Sequence, residues 1–349
     1  MSVLRVGIIG TGFGRQVQIP AFAAHPRARV VAVASATPGK AAQVAAAFGI
    51  PHAFDEWRDL VGAELDLVSI TPQPVYHRAM ALAAAAAGRH ILCEKPMALD
   101  AREAEEMLAA AERARVVHVI DHALRFNPNR RKIKELLKEG FIGRPRHVLI
   151  TIVGSGRSDP SRPWTWWADA EQGGGLLGAQ GSHQIDLLRY WLGDIEAVSG
   201  TTESFIKERP ANGTHRRVTS DDFNAFALSF RSGTVATVLL SVVAAHGEGP
   251  RIEVWGEEGS LRLDGHERLW GARRGEEWRE LTEPETVTAP PGMDYSALWG
   301  LPFVRLADHL VTAILDGAPL APAATFADGV AVQRVMDAVR ATRQAWREI

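Results

Sequence analysis

The N-terminal third of the chain alternates short apolar runs with alanine-rich stretches. The apolar runs predict strands at Leu4–Ile9, Arg29–Ala34, Leu67–Ile70, His90–Cys93 and Val116–Ile120. The stretches between them predict helices at Lys40–Phe48, Val75–Ala87 and Ala101–Ala114. Continuous apolar runs are typical of buried parallel strands, and their alternation with helices indicates βαβ units. Because such crossovers are right-handed, the pattern predicts a doubly wound Rossmann domain over residues 1–122.

The pattern changes after residue 122. Longer runs predict strands at Arg146–Val153, Phe223–Phe230, Thr234–Val243, Arg251–Trp255 and Ser260–Leu263. Ser232-Gly233 and Glu258-Gly259 stand where hairpin turns are expected. This pattern predicts that residues 123–349 form an α+β domain with a large, mostly antiparallel open sheet. The domain is expected to bind substrate and to form the contacts between subunits. The last stretch, from Leu298 to Glu348, predicts helix around a break at the sequence DGAPLAP.

Composition narrows the class of protein. The 349 residues suffice for two domains, and 46% hydrophobic with 23% charged residues is ordinary for a soluble globular protein. A net charge of −2 gives no reason to expect nucleic acid or an anionic membrane as partner. The N-terminal residues lack a secretory signal pattern, so a cytoplasmic location is expected. Cys93 is the only cysteine, which excludes an internal disulfide and a cysteine metal cage.

A glycine-rich turn follows the first predicted strand. The dinucleotide-binding pattern G-x-G-x-x-G needs glycines for the tight turn, for close approach to the pyrophosphate and for helix–strand packing. Gly10 and Gly12 match, but Arg15 occupies the third position and Gly14 comes one residue early. An ordinary glycine-rich turn is the alternative, and the βαβ context favours a nucleotide site. The predicted cofactor-binding residues here are Gly10, Thr11, Gly12, Phe13, Gly14 and Arg15.

The end of the second predicted strand bears on the choice of cofactor. NAD-binding domains usually carry Asp or Glu there to bind the ribose hydroxyls. This chain has Ser35, Thr37 and Lys40 in that region and no acidic residue. Nothing would repel a 2′-phosphate, and these three side chains could accept one. The sequence therefore favours NADP modestly over NAD.

Two further motifs carry polar residues at the ends of predicted elements. Glu94 and Lys95 follow a buried strand, and Pro96 disfavours helical angles at Lys95. A solvated ion pair is the alternative for these adjacent charges. Later, Gly181 and Ser182 precede a predicted helix, so that His183 and Asp186 lie one turn apart on one face. A core or capping histidine is the alternative there, and a metal site is disfavoured because a third ligand with suitable spacing is missing.

Together these motifs resemble the Gfo/Idh/MocA oxidoreductase family, which includes glucose–fructose oxidoreductase and inositol dehydrogenase. The resemblance runs through the whole chain: GTGFGR at the first turn, EKP after a later strand and GSHQID about 90 residues beyond it. It implies that Lys95 faces the nicotinamide ring and the substrate. A lysine that is partly desolvated beside a cofactor has its pKa lowered towards neutrality and can exchange a proton with a hydroxyl oxygen. Glu94 would orient the ammonium group or reach the cofactor ribose.

The resemblance also implies that His183 is the second acid/base group. One position departs from the family pattern. Many members carry Asp four residues before this histidine, and this chain has Ala179. Gln180 could supply hydrogen bonds there but cannot act as a base.

Several supporting residues complete the predicted site. Thr71, Pro72 and Pro96 should line the nucleotide cleft at the carboxyl ends of the strands. His77 matches a family histidine near the cofactor and could equally cap a helix. Arg125 and Asn127 at the domain junction are candidates for substrate contact, with Gln180 and Asp186. Trp164, Trp166 and Trp167 could stack on a sugar ring, but packing is favoured.

The sequence thus predicts an NAD(P)-dependent oxidoreductase that acts on a sugar, polyol or related small molecule. The alternatives are a glycosidase that uses NAD within an internal redox cycle, and a non-catalytic cofactor or sugar sensor. A homodimer or homotetramer is expected because both faces of the strand Phe223–Phe230 are rather apolar.

Overall fold

The computed structural model describes residues 2–247 and 249–342. In chain order, the strands of this part are β1 Leu4–Ile9, β2 Ala28–Ala34, β3 His52–Phe54, β4 Leu67–Ile70, β5 His90–Cys93, β6 His118–Ile120, β7 Pro145–Val153, β8 Ile195–Glu203, β9 Glu208–Ala211, β10 Thr214–Arg217, β11 Phe223–Phe230, β12 Val235–Ser241, β13 Gly249–Gly256, β14 Gly259–Leu263, β15 Leu269–Arg273 and β16 Arg279–Glu280.

The helices of the same part are α1 Ile19–Ala24, α2 Lys40–Phe48, α3 Trp57–Gly62, α4 Pro74–Ala86, α5 Ala101–Ala114, α6 Pro128–Lys138, α7 Ser182–Leu192, α8 Ala297–Asp316 and α9 Phe326–Thr342. Two π-helical segments, Gly14–Gln18 and Leu177–Gly181, run directly into α1 and α7. Short 3-10 helices occupy Ala123–Phe126, Trp166–Ala168 and Ala170–Gln172. Residues 343–349, where the predicted terminal helix continues, lie outside the described residues.

The chain divides into two compact units. The first contains the residues up to Asn127 together with Thr286–Ala331, and the second contains Pro128–Glu285 with the chain from Val332 onward. The predicted division, 1–122 and 123–349, differs from this because residues 286–331 pack with the first unit. Phe303, Leu306 and Leu310 of α8 are buried in one cluster with residues of β1 and β2. Such a return of the chain depends on long-range packing, which a local pattern does not reveal.

The first unit contains the predicted Rossmann sheet. Strands β1 to β6 pair in parallel in the order β3-β2-β1-β4-β5-β6. This order reverses between β1 and β4, and open α/β sheets bind ligands beyond the carboxyl ends of their strands at such a point. The apolar run Leu4–Ile9 forms a strand because both faces of the sheet are covered: Ile8 is buried in one hydrophobic cluster and Ile9 in the other.

Side chains at the start of α5 cap this helix. The Asp100 side chain accepts a hydrogen bond from the Glu103 backbone nitrogen at 2.8 Å and caps α5. The Glu103 carboxylate accepts from the backbone nitrogen of Leu99. This reciprocal arrangement satisfies two amide groups that the first helical turn would otherwise leave without partners.

The second unit is built on a mixed, mostly antiparallel sheet, which confirms the predicted fold class. Its strand order is β16-β15-β14-β13-β7-β12-β11-β8. β7 lies centrally, parallel to β12 and antiparallel to β13. The parallel pairing joins segments far apart in sequence, and hairpin signals do not predict it. The sequence reading also missed β3, α3, β8 to β10, β15 and β16.

One helix among the described residues, α8, is long and apolar enough by composition to cross a membrane. Half of its most apolar window is buried inside the molecule, and the core helices of soluble proteins meet the same two criteria.

Candidate active site

The glycine turn lies between β1 and α1, at the switch point of the first sheet. Gly10 has a φ of +101°, which favours glycine, and a Cβ on it would come 2.4 Å from Thr71 Oγ1. A Cβ on Gly14 would come 2.9 Å from Thr71 Oγ1 and 3.0 Å from Ile8 Cγ2. Gly14 therefore provides the close helix–strand approach that the motif expects at the position of Arg15.

The same turn fits the pyrophosphate of a dinucleotide. A Cβ on Gly12 would have no heavy atom within 4 Å, so its surface is open to a ligand. No hydrogen-bond partner for the amide nitrogens of Thr11 and Gly12 is found among the described residues. Free amide groups at the start of a helix suit phosphate oxygens. The Phe13 ring instead packs edge-to-face on Tyr295 and Phe303 of its own unit, at 5.2 and 6.2 Å between centroids.

The residues at the end of β2 form a small hydroxyl cluster. Ser35 Oγ lies 3.3 Å from Thr11 Oγ1 and accepts from the Thr37 backbone nitrogen at 3.3 Å. Lys40 is the exposed first residue of α2. The structure therefore joins the glycine turn to Ser35 and Thr37, which lie beside the position where a ribose carboxylate partner would stand.

His77 connects the loops that follow β4 and β5. It is fully buried, and its Nε2 and Nδ1 lie 3.0 Å from the Pro72 carbonyl oxygen and 3.1 Å from the Pro96 carbonyl oxygen. Burial lowers the pKa of this imidazole, against the effect of its carbonyl partners. These contacts give His77 a role in holding the two loops, and both loops border the predicted nucleotide cleft.

Glu94 and Lys95 form the turn that follows β5, and the Lys95–Pro96 peptide is cis. Glu94 is buried and Lys95 is partly buried. Burial lowers the pKa of the Lys95 ammonium, and the carboxyl groups of Glu94 and Asp121 oppose that effect. The pair is therefore not the solvated surface pair that the sequence left as an alternative.

Three residues that the sequence reading missed surround this turn. Gln18 Nε2 donates to Glu94 Oε1 at 3.1 Å and to Asp121 Oδ2 at 3.4 Å. The Ser69 hydroxyl donates to Gln18 Oε1. Asp121 follows β6 just as Glu94 follows β5, so their common position at the carboxyl ends of neighbouring strands was the signal that could have predicted their contact.

Arg125 and Asn127 are buried, and they lie where the chain leaves the first unit after β6. The Arg125 guanidinium lies 3.2 Å from Asp328 Oδ1 and donates to the Pro322 carbonyl oxygen at 3.3 Å. This buried ion pair attaches the chain after β6 to the start of α9. The contacts describe a structural role for Arg125, and its predicted contact with substrate stays a prediction.

In the second unit, His183 and Asp186 lie one turn apart near the start of α7 and are both buried. The preceding π-helical segment carries Ala179 and Gln180. Gln180 Oε1 is buried and has no hydrogen-bond partner in the described part of the chain. A buried acceptor in this condition suits a hydroxyl donor from a ligand. Gln180, His183 and Asp186 therefore belong to one short stretch of helix.

Trp164 packs on the β9–β10 hairpin. Its Nε1 donates to the Arg217 carbonyl oxygen at 3.2 Å, and the Arg216 guanidinium stacks 3.5 Å from its ring centroid. Trp167 carries the Arg157 guanidinium at 3.7 Å in the same manner. These contacts agree with packing as the role of the tryptophan cluster.

Two family models cover most of the chain. A model of the oxidoreductase family with an NAD-binding Rossmann fold, GFO/IDH/MocA, matches residues 4–122. The model of the GFO/IDH/MocA C-terminal domain matches residues 130–262.

Known proteins resemble the chain over nearly its full length. An uncharacterized oxidoreductase of Synechocystis sp. is 31% identical, over 99% of this chain and 94% of its own. Levoglucosan dehydrogenase of Pseudarthrobacter phenanthrenivorans is 30% identical, over 100% of this chain and 99% of its own. A structure of levoglucosan dehydrogenase in complex with NADH and L-sorbose superposes with a TM-score of 0.91 at 28% identity, over 99% and 98% of the two chains. The chain is an NAD-binding oxidoreductase that belongs to the Gfo/Idh/MocA family.

Proposed function

We propose that the protein is a dehydrogenase that moves a hydride between a nicotinamide cofactor and a hydroxyl or carbonyl carbon of a sugar, polyol or related small molecule. The observation that carries the proposal is the partly buried Lys95, which follows β5 on the same edge of the sheet as the glycine turn. The similarity to levoglucosan dehydrogenase, one of whose structures holds NADH and levoglucosan, supports the substrate class.

Lys95 is the proposed proton-transfer group. A bound nicotinamide supplies the hydride acceptor for oxidation and the hydride donor for reduction. In oxidation the neutral Lys95 amine accepts the proton of the substrate hydroxyl, and in reduction its ammonium group donates a proton to the carbonyl oxygen. Desolvation favours the neutral amine, so burial of Lys95 increases the fraction of the side chain that is able to accept a proton at a given pH.

His183 is proposed as the second acid/base group, in line with the family resemblance. It is buried at the start of α7, one turn before Asp186. It lies three residues after Gln180, whose Oε1 has no hydrogen-bond partner among the described residues. An imidazole can donate to a substrate oxygen or relay a proton at neutral pH. Gln180 would then accept a hydrogen bond from a second substrate hydroxyl.

NADP is proposed as an accepted cofactor besides NAD. The support is the hydroxyl cluster of Ser35, Thr37 and Thr11 with Lys40 beyond it, since the residues 35–40 that follow β2 include no carboxylate. We expect Ser35→Asp to weaken NADPH binding and to leave NADH binding nearly unchanged. Equal loss for both cofactors, measured by nicotinamide fluorescence, would argue against this role of Ser35.

The function is tested by titrating NADH and NADPH and then measuring turnover with anhydrosugars, sugars, polyols and their keto forms. We expect cofactor binding and turnover in the wild type and at least about a hundredfold loss of kcat in Lys95→Ala, as for removal of a general acid/base. Lys138→Ala is the matched control because Lys138 is an exposed lysine at the end of α6.

Other outcomes select the alternative functions. Cleavage of a glycosidic bond without net change in nicotinamide absorbance would indicate an internal redox cycle. Tight cofactor binding without turnover of any substrate would indicate a sensor, and Ala179 would then be the first residue to restore to Asp.

We propose that the protein forms a homo-oligomer through the open face of the second unit's sheet. Phe223, Ala225 and Ala227 of β11 share that face with Thr237 and Leu239 of β12, and all are partly or fully exposed. A contiguous apolar surface of this kind is commonly covered by a second copy of the chain. A cytoplasmic location, without membrane or nucleic-acid partners, stays a prediction from composition.

A further inference from the structure

The strongest unassigned feature is a pair of buried carboxyl groups. One belongs to Glu94, next to Lys95 in the chain, and the other to Asp121, at the end of the neighbouring strand β6. Glu94 is 7% exposed and Asp121 is 3% exposed. Each follows a parallel strand, β5 and β6 respectively, so the sheet brings them side by side. Two ionised carboxylates in such a position would repel each other at a low dielectric constant.

The hydrogen bonds indicate how the pair avoids that repulsion. The two carboxyl groups face one amide group, and their repulsion is relieved when one of them carries a proton. Gln18 Nε2 donates to Glu94 Oε1 and to Asp121 Oδ2, while Glu94 Oε2 accepts from the Lys95 backbone nitrogen at 3.2 Å. The Ser69 hydroxyl holds the Gln18 amide in this orientation because it donates to Gln18 Oε1.

The direction of each pKa supports one shared proton. Burial, the charge of Asp121 and its hydrogen bond raise the pKa of Glu94 well above its usual value. Burial also raises the pKa of Asp121, whereas the hydrogen bond from Glu94 and the charge of Lys95 lower it. Both pKa values are raised, as expected for two carboxyl groups that titrate together and hold one proton between them.

Other titratable groups interact with these carboxyl groups or with Lys95, or adjoin them in the chain. Burial and the two carboxyl groups raise the pKa of the Cys93 thiol, and burial and Glu94 raise that of Tyr295. Burial lowers the pKa of His77, and Lys95 lowers it further. Buried His122 directly follows Asp121 in the chain.

We propose that Glu94 and Asp121 hold one proton between them and act as a single negative counter-charge for Lys95. Both are positioning residues: they set the proton affinity of the Lys95 amine without themselves exchanging a proton with substrate. The effect of this pair on catalysis rests on the function proposed above. The arrangement of charges does not depend on that function.

The test is the pH dependence of Lys95 acetylation by acetic anhydride, read by mass spectrometry on the full chain. In Asp121→Asn the like charge that opposes ionisation of Glu94 is removed, and we expect Glu94 to ionise and leave one charge beside Lys95. In Glu94→Gln we expect Asp121 to be ionised for the same reason. We expect each single variant to move the midpoint for Lys95 by less than about half a unit, and the double variant to lower it by at least about one unit. Asp316→Asn is the control because that carboxylate pairs with Arg27.

Two labelling results would overturn the proposal. If Asp121→Asn alone lowers the midpoint as far as the double variant, the two groups do not share a proton. If the double variant leaves the midpoint unchanged, the pair is not the counter-charge.

Infrared spectroscopy gives a second measurement that does not need the double variant. The wild type should show the carbonyl stretch of a protonated carboxylic acid at neutral pH, and either single variant should lose it. Its absence from the wild type would refute the shared proton. Neither readout requires turnover, so a failure of the proposed function, seen as an active Lys95→Ala, is distinguished from a failure of this inference.

Discussion

At the scale of single residues, three ionisable side chains lie at the carboxyl ends of parallel strands, and their burial there shifts their pKa values. Lys95, Glu94 and Asp121 all follow parallel strands, where the backbone ends and side chains meet. Burial there favours the neutral form of each group, while the carboxyl groups oppose this effect for Lys95 and the charge of Lys95 opposes it for Asp121. The net effect on Lys95 is a pKa below its ordinary value.

The pH profile of the reaction follows from the lowered pKa of Lys95. Oxidation needs the neutral amine, so kcat/KM for alcohol oxidation should rise with pH and level off below the ordinary lysine value of about 10.5. Reduction needs the ammonium form and should lose rate over the same range. Lys95→Arg should abolish this rise of kcat/KM with pH while retaining the positive charge, since arginine does not deprotonate. An unchanged pH profile in Lys95→Arg would mean that another group causes the pH dependence.

Asp264 stabilises the turn between β14 and β15. Burial raises its pKa, but hydrogen bonds from the backbone nitrogens of Arg268 and His266, with the Trp270 and Arg268 side chains, outweigh it and lower the pKa to about 2. Because the folded pKa is depressed, the stabilisation is present above about pH 4 and is lost as pH falls towards 2.

Asp264→Asn should therefore reduce the free energy of unfolding by about 1–2 kcal/mol at pH 7, with a smaller difference below pH 4. Chemical denaturation at several pH values measures it. Asp308→Asn is the control because that side chain is 72% exposed, and its effect should stay within about 0.5 kcal/mol. A pH-independent loss in Asp264→Asn would mean that shape rather than charge matters at the turn.

At the scale of elements, the β1–α1 turn separates two uses of glycine. Gly14 allows the helix to approach Ile8 and Thr71, while Gly12 faces open space. Packing therefore accounts for the first glycine and ligand access for the second.

This separation predicts opposite effects of the same substitution. Gly14→Ala should lower stability by about 1–3 kcal/mol, since the added methyl group overlaps atoms of a packed core. Gly12→Ala should leave the melting temperature nearly unchanged and weaken NADH binding at least about tenfold, because its methyl group enters the space for the pyrophosphate. Thermal melts and fluorescence titrations measure the two effects, and a destabilised Gly12→Ala that binds normally would contradict the assignment.

At the scale of the whole molecule, the second unit exposes one face of its sheet. The alternate residues of β11 and β12 are buried on one side, with Phe226 and Val238 paired there, and partly exposed on the other. Val235 is 44% exposed on that side.

Thr237→Glu should dissociate the proposed oligomer, because Thr237 is exposed at the centre of the open face and a carboxylate there would be desolvated on assembly. Light scattering after size-exclusion chromatography gives the mass. Arg231→Glu, at the exposed end of the hairpin, should leave the mass unchanged. A wild type with the mass of one chain at every concentration would refute the assembly.

Several local elements were predictable from the sequence alone. β1, β4, β5, α2 and α5 have the bounds that the hydrophobic pattern predicts, because a buried parallel strand or a capped helix depends mostly on its own residues. The glycine turn and the Glu94–Lys95–Pro96 turn were recognisable for the same reason. The placement of β7 beside β12, and of residues 286–331 with the first unit, required the tertiary structure.

The environment of Lys95 was also decided only by the tertiary structure. Gln18, Ser69, Glu94 and Asp121 come from four separate segments that the strand order brings to one edge. Gly14 likewise proved to make the contact expected of Arg15, because helix–strand distance rather than motif spacing determines which residue must lack a side chain. Side-chain type is local information, whereas burial and charge pairing arise from contacts between residues distant in the chain.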